Sequence, residues 1–170
     1  MLLEDREGTV WAGGFGVPTG RLCAIQNGGV HCDGENVFSL YEDSKGTLWA
    51  GVKDGVWRWK PGPSQFYSLP GEANGIRGLG EDTDGTLLVG IRGTICRFVD
   101  GRTEAYPLPG IVQPFAAKRL LRDRQGGLWI GTQDRGLVCT RGGQMFFRCQ
   151  TASRARTLSP FWKITKAASG

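Results

Sequence analysis

Four copies of one short phrase recur along this chain, and the recurrence limits its folds more than any single residue does. The first copy runs Glu4-Asp5, Gly8-Thr9, Trp11 and Gly13; the second runs Glu42-Asp43, Gly46-Thr47, Trp49 and Gly51. The third, Glu81-Asp82, Gly85-Thr86 and Gly90, has Leu88 in place of Trp. The fourth, Asp123, Gly126-Gly127, Trp129 and Gly131, has Arg122 in place of Glu. Gly8, Gly46, Gly85 and Gly126 lie 38, 39 and 41 residues apart. A period near 40, with short apolar runs and frequent glycine, points to an array of repeated sheets.

The second copy shows how one unit is built. Residues 37–41 carry the β-branched and aromatic side chains that suit a strand. Asp43-Ser44-Lys45-Gly46 then makes a tight turn, because the carboxylate accepts backbone N–H groups two residues on and Gly takes positive φ without a Cβ clash. Residues 47–52 return as a second strand, and Asp54-Gly55 opens a further hairpin turn. Residues 56–59 form a third strand and residues 65–69 a fourth. Leu48, Trp49, Ala50 and Val52 do not alternate with polar residues, as expected of a sheet covered on both faces.

The third copy predicts strands at 76–79, 86–91, 94–98 and 103–108, and the fourth at 117–121, 128–132, 136–140 and 144–148. The first opens on a short strand, 1–3, and has a long second loop, 14–20. The expected fold is therefore all-β, a β-propeller-type array of four four-stranded antiparallel blades, approximately 1–34, 35–72, 73–113 and 114–148. A blade with two apolar faces cannot bury them alone. The terminal blades are thus expected to expose apolar surface, Trp11 or Trp129 included, unless they meet each other or another chain. Residues 149–170 lack the phrase and are expected to be a basic tail, flexible or pairing at an edge.

Net charge is +5, but Arg154, Arg156, Lys163 and Lys166 in that tail supply most of it and the blades are nearly neutral. A basic stripe for phosphate backbones has to sit on the folded body, so nucleic acid is not an expected partner. No apolar run of about 18 residues predicts a membrane helix. The start, Met1-Leu2-Leu3-Glu4-Asp5-Arg6, has neither the basic opening nor the apolar core of a signal peptide. The five cysteines, Cys23, Cys32, Cys96, Cys139 and Cys149, form no metal or redox motif. Cys23 and Cys32 could face each other across a hairpin, although small buried thiols are the expectation.

The Glu-Asp-x-x-Gly-Thr-x-Trp-x-Gly phrase, followed by Gly-Val or Gly-Leu, resembles the two-component regulator propeller repeat over about residues 1–148. The resemblance implies the sensory region of bacterial hybrid histidine kinases and related regulators. It also implies a periplasmic or other extracytoplasmic location, where blades bind a ligand or a partner protomer. For this chain it implies a non-catalytic sensory or ligand-binding module without a cofactor. A protein-interaction scaffold and a streptogramin-lyase-like enzyme are the alternatives. Further blades, of the same or another protomer, are the implied partners.

Asp5, Asp43, Asp82 and Asp123 recur at one turn per blade, each with Gly three residues on, and turn geometry alone accounts for them. They are expected to be structural, with no metal bound. His31 is the only histidine. Streptogramin lyase propellers are similar in blade rhythm and in the Leu108-Pro109-Gly110 type of ending. Their resemblance implies more than one histidine with a carboxylate near a metal, which a single His cannot supply. Sialidase-type Asp boxes use a different register, and no nucleophile elbow is present. What remains is the face where the second loops and blade connections gather. It presents Phe15, Asn36, Lys53, Asp54, Asn74, Arg92, Gln113, Gln133, Asp134 and Arg135, a polar mixture that suits a saccharide or other small molecule, or a protein loop.

Overall fold

The computed structural model describes residues 1–149 except 15, 17–19, 35, 70–74, 92, 109–113, 134 and 142–143. Of the expected tail, 149–170, Cys149 is instead the last residue of a strand, and residues 150–170 lie outside the described residues. Blade 1 comprises β1 (Leu2–Glu4), β2 (Val10–Gly13), β3 (Leu22–Gln26) and β4 (Gly29–Asp33). Blade 2 comprises β5 (Ser39–Glu42), β6 (Leu48–Gly51), β7 (Gly55–Lys60) and β8 (Gln65–Ser68). Blade 3 holds β9 (Leu79–Glu81), β10 (Leu87–Ile91), β11 (Thr94–Val99) and β12 (Arg102–Ala105). Blade 4 holds β13 (Ala117–Arg122), β14 (Leu128–Thr132), β15 (Leu137–Arg141) and β16 (Gln144–Cys149). Each sheet is antiparallel and ordered as in the sequence.

Two strand boundaries in blade 3 differ from expectation for identifiable reasons. Ile76 does not begin a strand, because its N–H donates to the carbonyl of Val52 in blade 2 (2.9 Å). The last strand stops at Ala105 rather than running to 108; Pro107, beyond it, has no N–H to give a ladder.

The interior consists of apolar slabs between successive blades. Leu22, Val37, Ala50 and Val52 fill the first, between blades 1 and 2, with Trp11 and Leu40 against them. Trp11 therefore packs inward, contrary to its expected place on a terminal face. Trp49, Val56, Leu79 and Val89 fill the second slab. Leu88, Ile95, Leu120 and Leu128 fill the third. Inner strands touch in the order β1, β5, β9, β13, and the array is open.

A further correction concerns the thiols. Register places Cys23 directly opposite Cys32 on β3 and β4, and the two are joined as a disulfide, with Cα atoms 4.0 Å apart.

The last glycine of each phrase explains the spacing of the slabs. A Cβ built at Gly13 would meet Val37 Cγ1 at 3.0 Å, and one at Gly51 would meet the Ile76 carbonyl oxygen at 2.3 Å. At Gly90 it would meet Ala117 Cβ at 2.7 Å. These three contacts are with the following blade. At Gly131 the nearest atom belongs to Arg119 of the same sheet, at 3.5 Å. Gly51→Ala is accordingly expected to cost about 1–3 kcal/mol through overpacking against a rigid backbone oxygen. Gly131→Ala should change urea-unfolding stability by no more than about 0.5 kcal/mol at low protein concentration.

Candidate functional site

The acidic turns are closed clamps. Asp5 Oδ1 accepts the N–H groups of Glu7 (2.9 Å) and Thr9 (3.0 Å), and its Oδ2 accepts the indole N–H of Trp11 at 2.7 Å. Asp43 repeats this with Lys45, Thr47 and Trp49, and Asp123 with Gln125, Gly127 and Trp129. Phrase spacing is thus set by one carboxylate reaching a turn with one oxygen and an indole with the other. Burial works to raise the Asp5 pKa, but hydrogen bonds from Lys60, Trp11, Thr9 and Glu7 outweigh it and bring the group from 3.8 to about 2. The Trp129 indole, the Gly127 N–H and Arg141 bring Asp123 to about 2 as well. These carboxylates are engaged in holding their turns and, in blades 1, 2 and 4, an indole.

Blade 3 is wired differently. With Leu88 in place of Trp there is no indole for Asp82, whose Oδ1 instead accepts from Arg122 of blade 4 at 2.7 Å. Its own turn is held by Asp84, whose Oδ1 accepts the Thr86 N–H. Arg122 stands where Glu42 and Glu81 stand in their blades. Those glutamates reach back to the preceding turn, Glu42 accepting the Arg6 N–H (3.1 Å) and Glu81 the Ser44 N–H (2.9 Å). The two departures from the phrase therefore compensate each other: a lost neutral donor is replaced by a cation from the next blade.

At the opposite ends of the strands, the structure gathers part of the expected face. Asn36, Lys53 and Asp54 line a recess of about 330 Å³ together with Val52, Trp57 and Phe66. Asn36 Oδ1 is engaged, accepting the N–H groups of Gly16 and Gly20 (both 3.0 Å) and so holding the long loop of blade 1. Lys53 and Asp54 are exposed, and their side chains make no hydrogen bond or ion pair with the described residues.

Trp57 and Phe66 were not among the expected site residues. They pair across β7 and β8, with ring centroids 5.2 Å apart and planes 43° apart. A Cβ at Gly55 would fall 2.7 Å from the Phe66 ring, so glycine there lets the ring lie on the hairpin. The signal available in the sequence was the hairpin register, which sets Trp57 opposite Phe66.

Gln133 is separate, lining a second recess of about 350 Å³ between blades 3 and 4 with Gly93, Pro114, Phe115 and Lys118. The Arg135 guanidinium donates to the Pro114 carbonyl at 2.9 Å. Phe15, Asn74, Arg92, Gln113 and Asp134 lie outside the described residues. His31 lies on β4 of blade 1, paired with Ala24. Among the described residues no cluster of three or more His, Cys, Asp or Glu is placed to hold a metal, and no helix is long and apolar enough to cross a membrane.

Residues 33–54 and 116–134 match the family model described as Two component regulator propeller. No curated protein matches the sequence. Among solved structures, the chain is similar to the extracellular domain of a hybrid two component system from B. thetaiotaomicron. That likeness has 17% identity and a TM-score of 0.66, over 82% of this chain and 21% of that one. A second such domain from the same organism gives 20% identity and 0.63, over 81% and 20%. A catalytically inactive virginiamycin B lyase from Staphylococcus aureus gives 20% and 0.65, over 85% and 53%. The chain thus spans about a fifth of the two-component domains and about half of the lyase. Two of its segments match the two-component regulator propeller model, on an all-β propeller-type array; at these identities the structural likeness speaks for the fold alone.

Two outcomes follow from the clamps. Depressed carboxylate pKa values add stability above the ordinary carboxylate range and lose it as pH falls through the folded value. Melting temperature should therefore be level from neutral pH to about 5 and fall between about 5 and 2, with Asp5→Asn lowering it at neutral pH and flattening the acid limb. Arg122→Glu, which restores the phrase but sets a second carboxylate against Asp82, should cost about 1–3 kcal/mol in chemical denaturation.

Proposed function

We propose that this array of two-component regulator propeller repeats is a non-catalytic sensory module that takes a saccharide in the blade 2 recess. One observation carries this reading: the Trp57 and Phe66 rings stand beside the unspent Lys53 and Asp54. A sugar offers C–H faces that pack on aromatic planes and hydroxyls that hydrogen-bond charged groups, and a mostly apolar recess with few polar groups suits such a ligand. Larger and shallower, a groove of about 610 Å³ between blades 2 and 3 is less suited, because its Asp43 is committed to the turn clamp.

An extracytoplasmic setting is part of the proposal. The Cys23–Cys32 disulfide belongs to oxidising compartments, and the two-component relatives of similar fold are extracellular domains. The non-catalytic reading is supported by His31, which is exposed in blade 1 and is the only histidine of the chain.

A glycan array with the isolated chain should yield a bound oligosaccharide. Trp57→Ala and Asp54→Asn should each weaken its binding at least about tenfold, or about 1.4 kcal/mol, while Gln133→Ala leaves it unchanged. Binding of proteins but of no glycan would favour a scaffold. Elimination of a streptogramin substrate, lost in His31→Ala, would favour a lyase.

A further inference from the structure

Six large apolar side chains are exposed among the described residues: Leu2, Ile25, Val30, Phe66, Leu121 and Leu137. Phe66 lines the recess. Register places the other five on the two end faces of the array. Leu2, Ile25 and Val30 lie on the face of blade 1 turned away from blade 2. Leu121 and Leu137 lie on the face of blade 4 turned away from blade 3.

These positions are repeat equivalents of buried ones. Leu2 corresponds to Leu40, Leu79 and Leu120, which pack on the preceding blade; Leu2 is 76% exposed, against 5% for Leu79 and 7% for Leu120. Leu137 corresponds to Leu22, Val56 and Ile95, which pack on the following blade; it is 38% exposed, against 0% for Val56 and Ile95.

The polar groups repeat the same logic. At the junction of blades 1 and 2, Glu42 accepts the Arg6 N–H, and the Arg6 guanidinium donates to the carbonyls of Ser44 (2.7 Å) and Asp43 (3.1 Å). Blade 4 carries Arg124 at the Arg6 position, and blade 1 carries Glu4 at the Glu42 position. Both are exposed, and neither side chain has a partner among the described residues. The outer faces of blades 1 and 4 therefore hold the two halves of the joint that blades 1 and 2 already make.

We infer that the end faces bind a second copy of this chain head to tail, blade 4 of each copy receiving blade 1 of the other. In each junction Glu4 caps the Arg124 N–H, Arg124 donates to the carbonyls of Asp5 and Arg6, and Leu2 enters beside Leu137. Head-to-tail contacts close when the rotation allows. Two copies make eight blades, within the usual range for propellers, and one copy covers about half of the lyase it superposes on.

Sedimentation velocity of the full chain tests this. The wild type should sediment at twice its 18.5 kDa mass. Leu2→Asp alone and Leu137→Asp alone should be monomers, each keeping the wild-type circular dichroism spectrum. Their equimolar mixture should form a dimer again, because one junction then joins two undamaged faces. Glu4→Lys, a milder change, should raise the dimer dissociation constant about tenfold. A wild type that stays monomeric at every concentration would overturn the inference and leave these faces to blades of another polypeptide. A dimer that survives both Asp variants, or a mixture that stays monomeric, would overturn it too. So would growth into open-ended polymers.

Discussion

Adjacent blades approach until the backbone of one lies against the chain of the next, and at Gly13, Gly51 and Gly90 only a hydrogen atom fits between them. That distance brings the apolar side chains of two sheets into one slab. It also brings the Ser39 hydroxyl to the Ile76 carbonyl, at 2.7 Å and buried. Without the close approach, neither face of a four-stranded sheet would be dry enough to repay the ordering of its strands. The carboxylate clamps serve the same end in blades 1 and 2, since they fix the large Trp11 and Trp49 rings against the first and second slabs.

Much of this was legible beforehand because it is periodic. Turn chemistry marked the hairpins, and the spacing of the phrases marked the blades. What escaped was whatever depends on partners far apart in sequence. Ile76 looks like a strand residue by type, yet its N–H bonds to Val52 in the neighbouring sheet. Trp11 looks like a terminal plate, yet its face meets blade 2. The register that sets Cys23 opposite Cys32 follows from the Asn27-Gly28 hairpin turn, where both residues have positive φ; what residue type alone left open was whether the two thiols are joined. In the candidate site, Asn36, Lys53 and Asp54 were expected from loop position, and they line one recess. Trp57 and Phe66 were hidden because an aromatic on a strand reads as core unless its face is known.

The exchange of Trp for Leu88 and of Glu for Arg122 shows how a repeat tolerates change. Each departs from the phrase, and the loss of the indole alone would leave Asp82 short of a donor. Together they satisfy it through a longer arm from the neighbouring blade. Arg97 adds a second cation on its other oxygen at 3.4 Å. The requirement is that the buried carboxylate be answered, and the donor need not come from the same sheet.

Asn36 gives the recess a mechanical link. One oxygen of this side chain holds two backbone N–H groups of the long blade 1 loop, while the residue itself forms part of the recess wall in blade 2. A ligand hydroxyl competing for that oxygen would be traded directly against the anchoring of the loop. The recess in blade 2 and the backbone of blade 1 thus draw on one shared acceptor, which ties the two blades at a point outside their apolar slab.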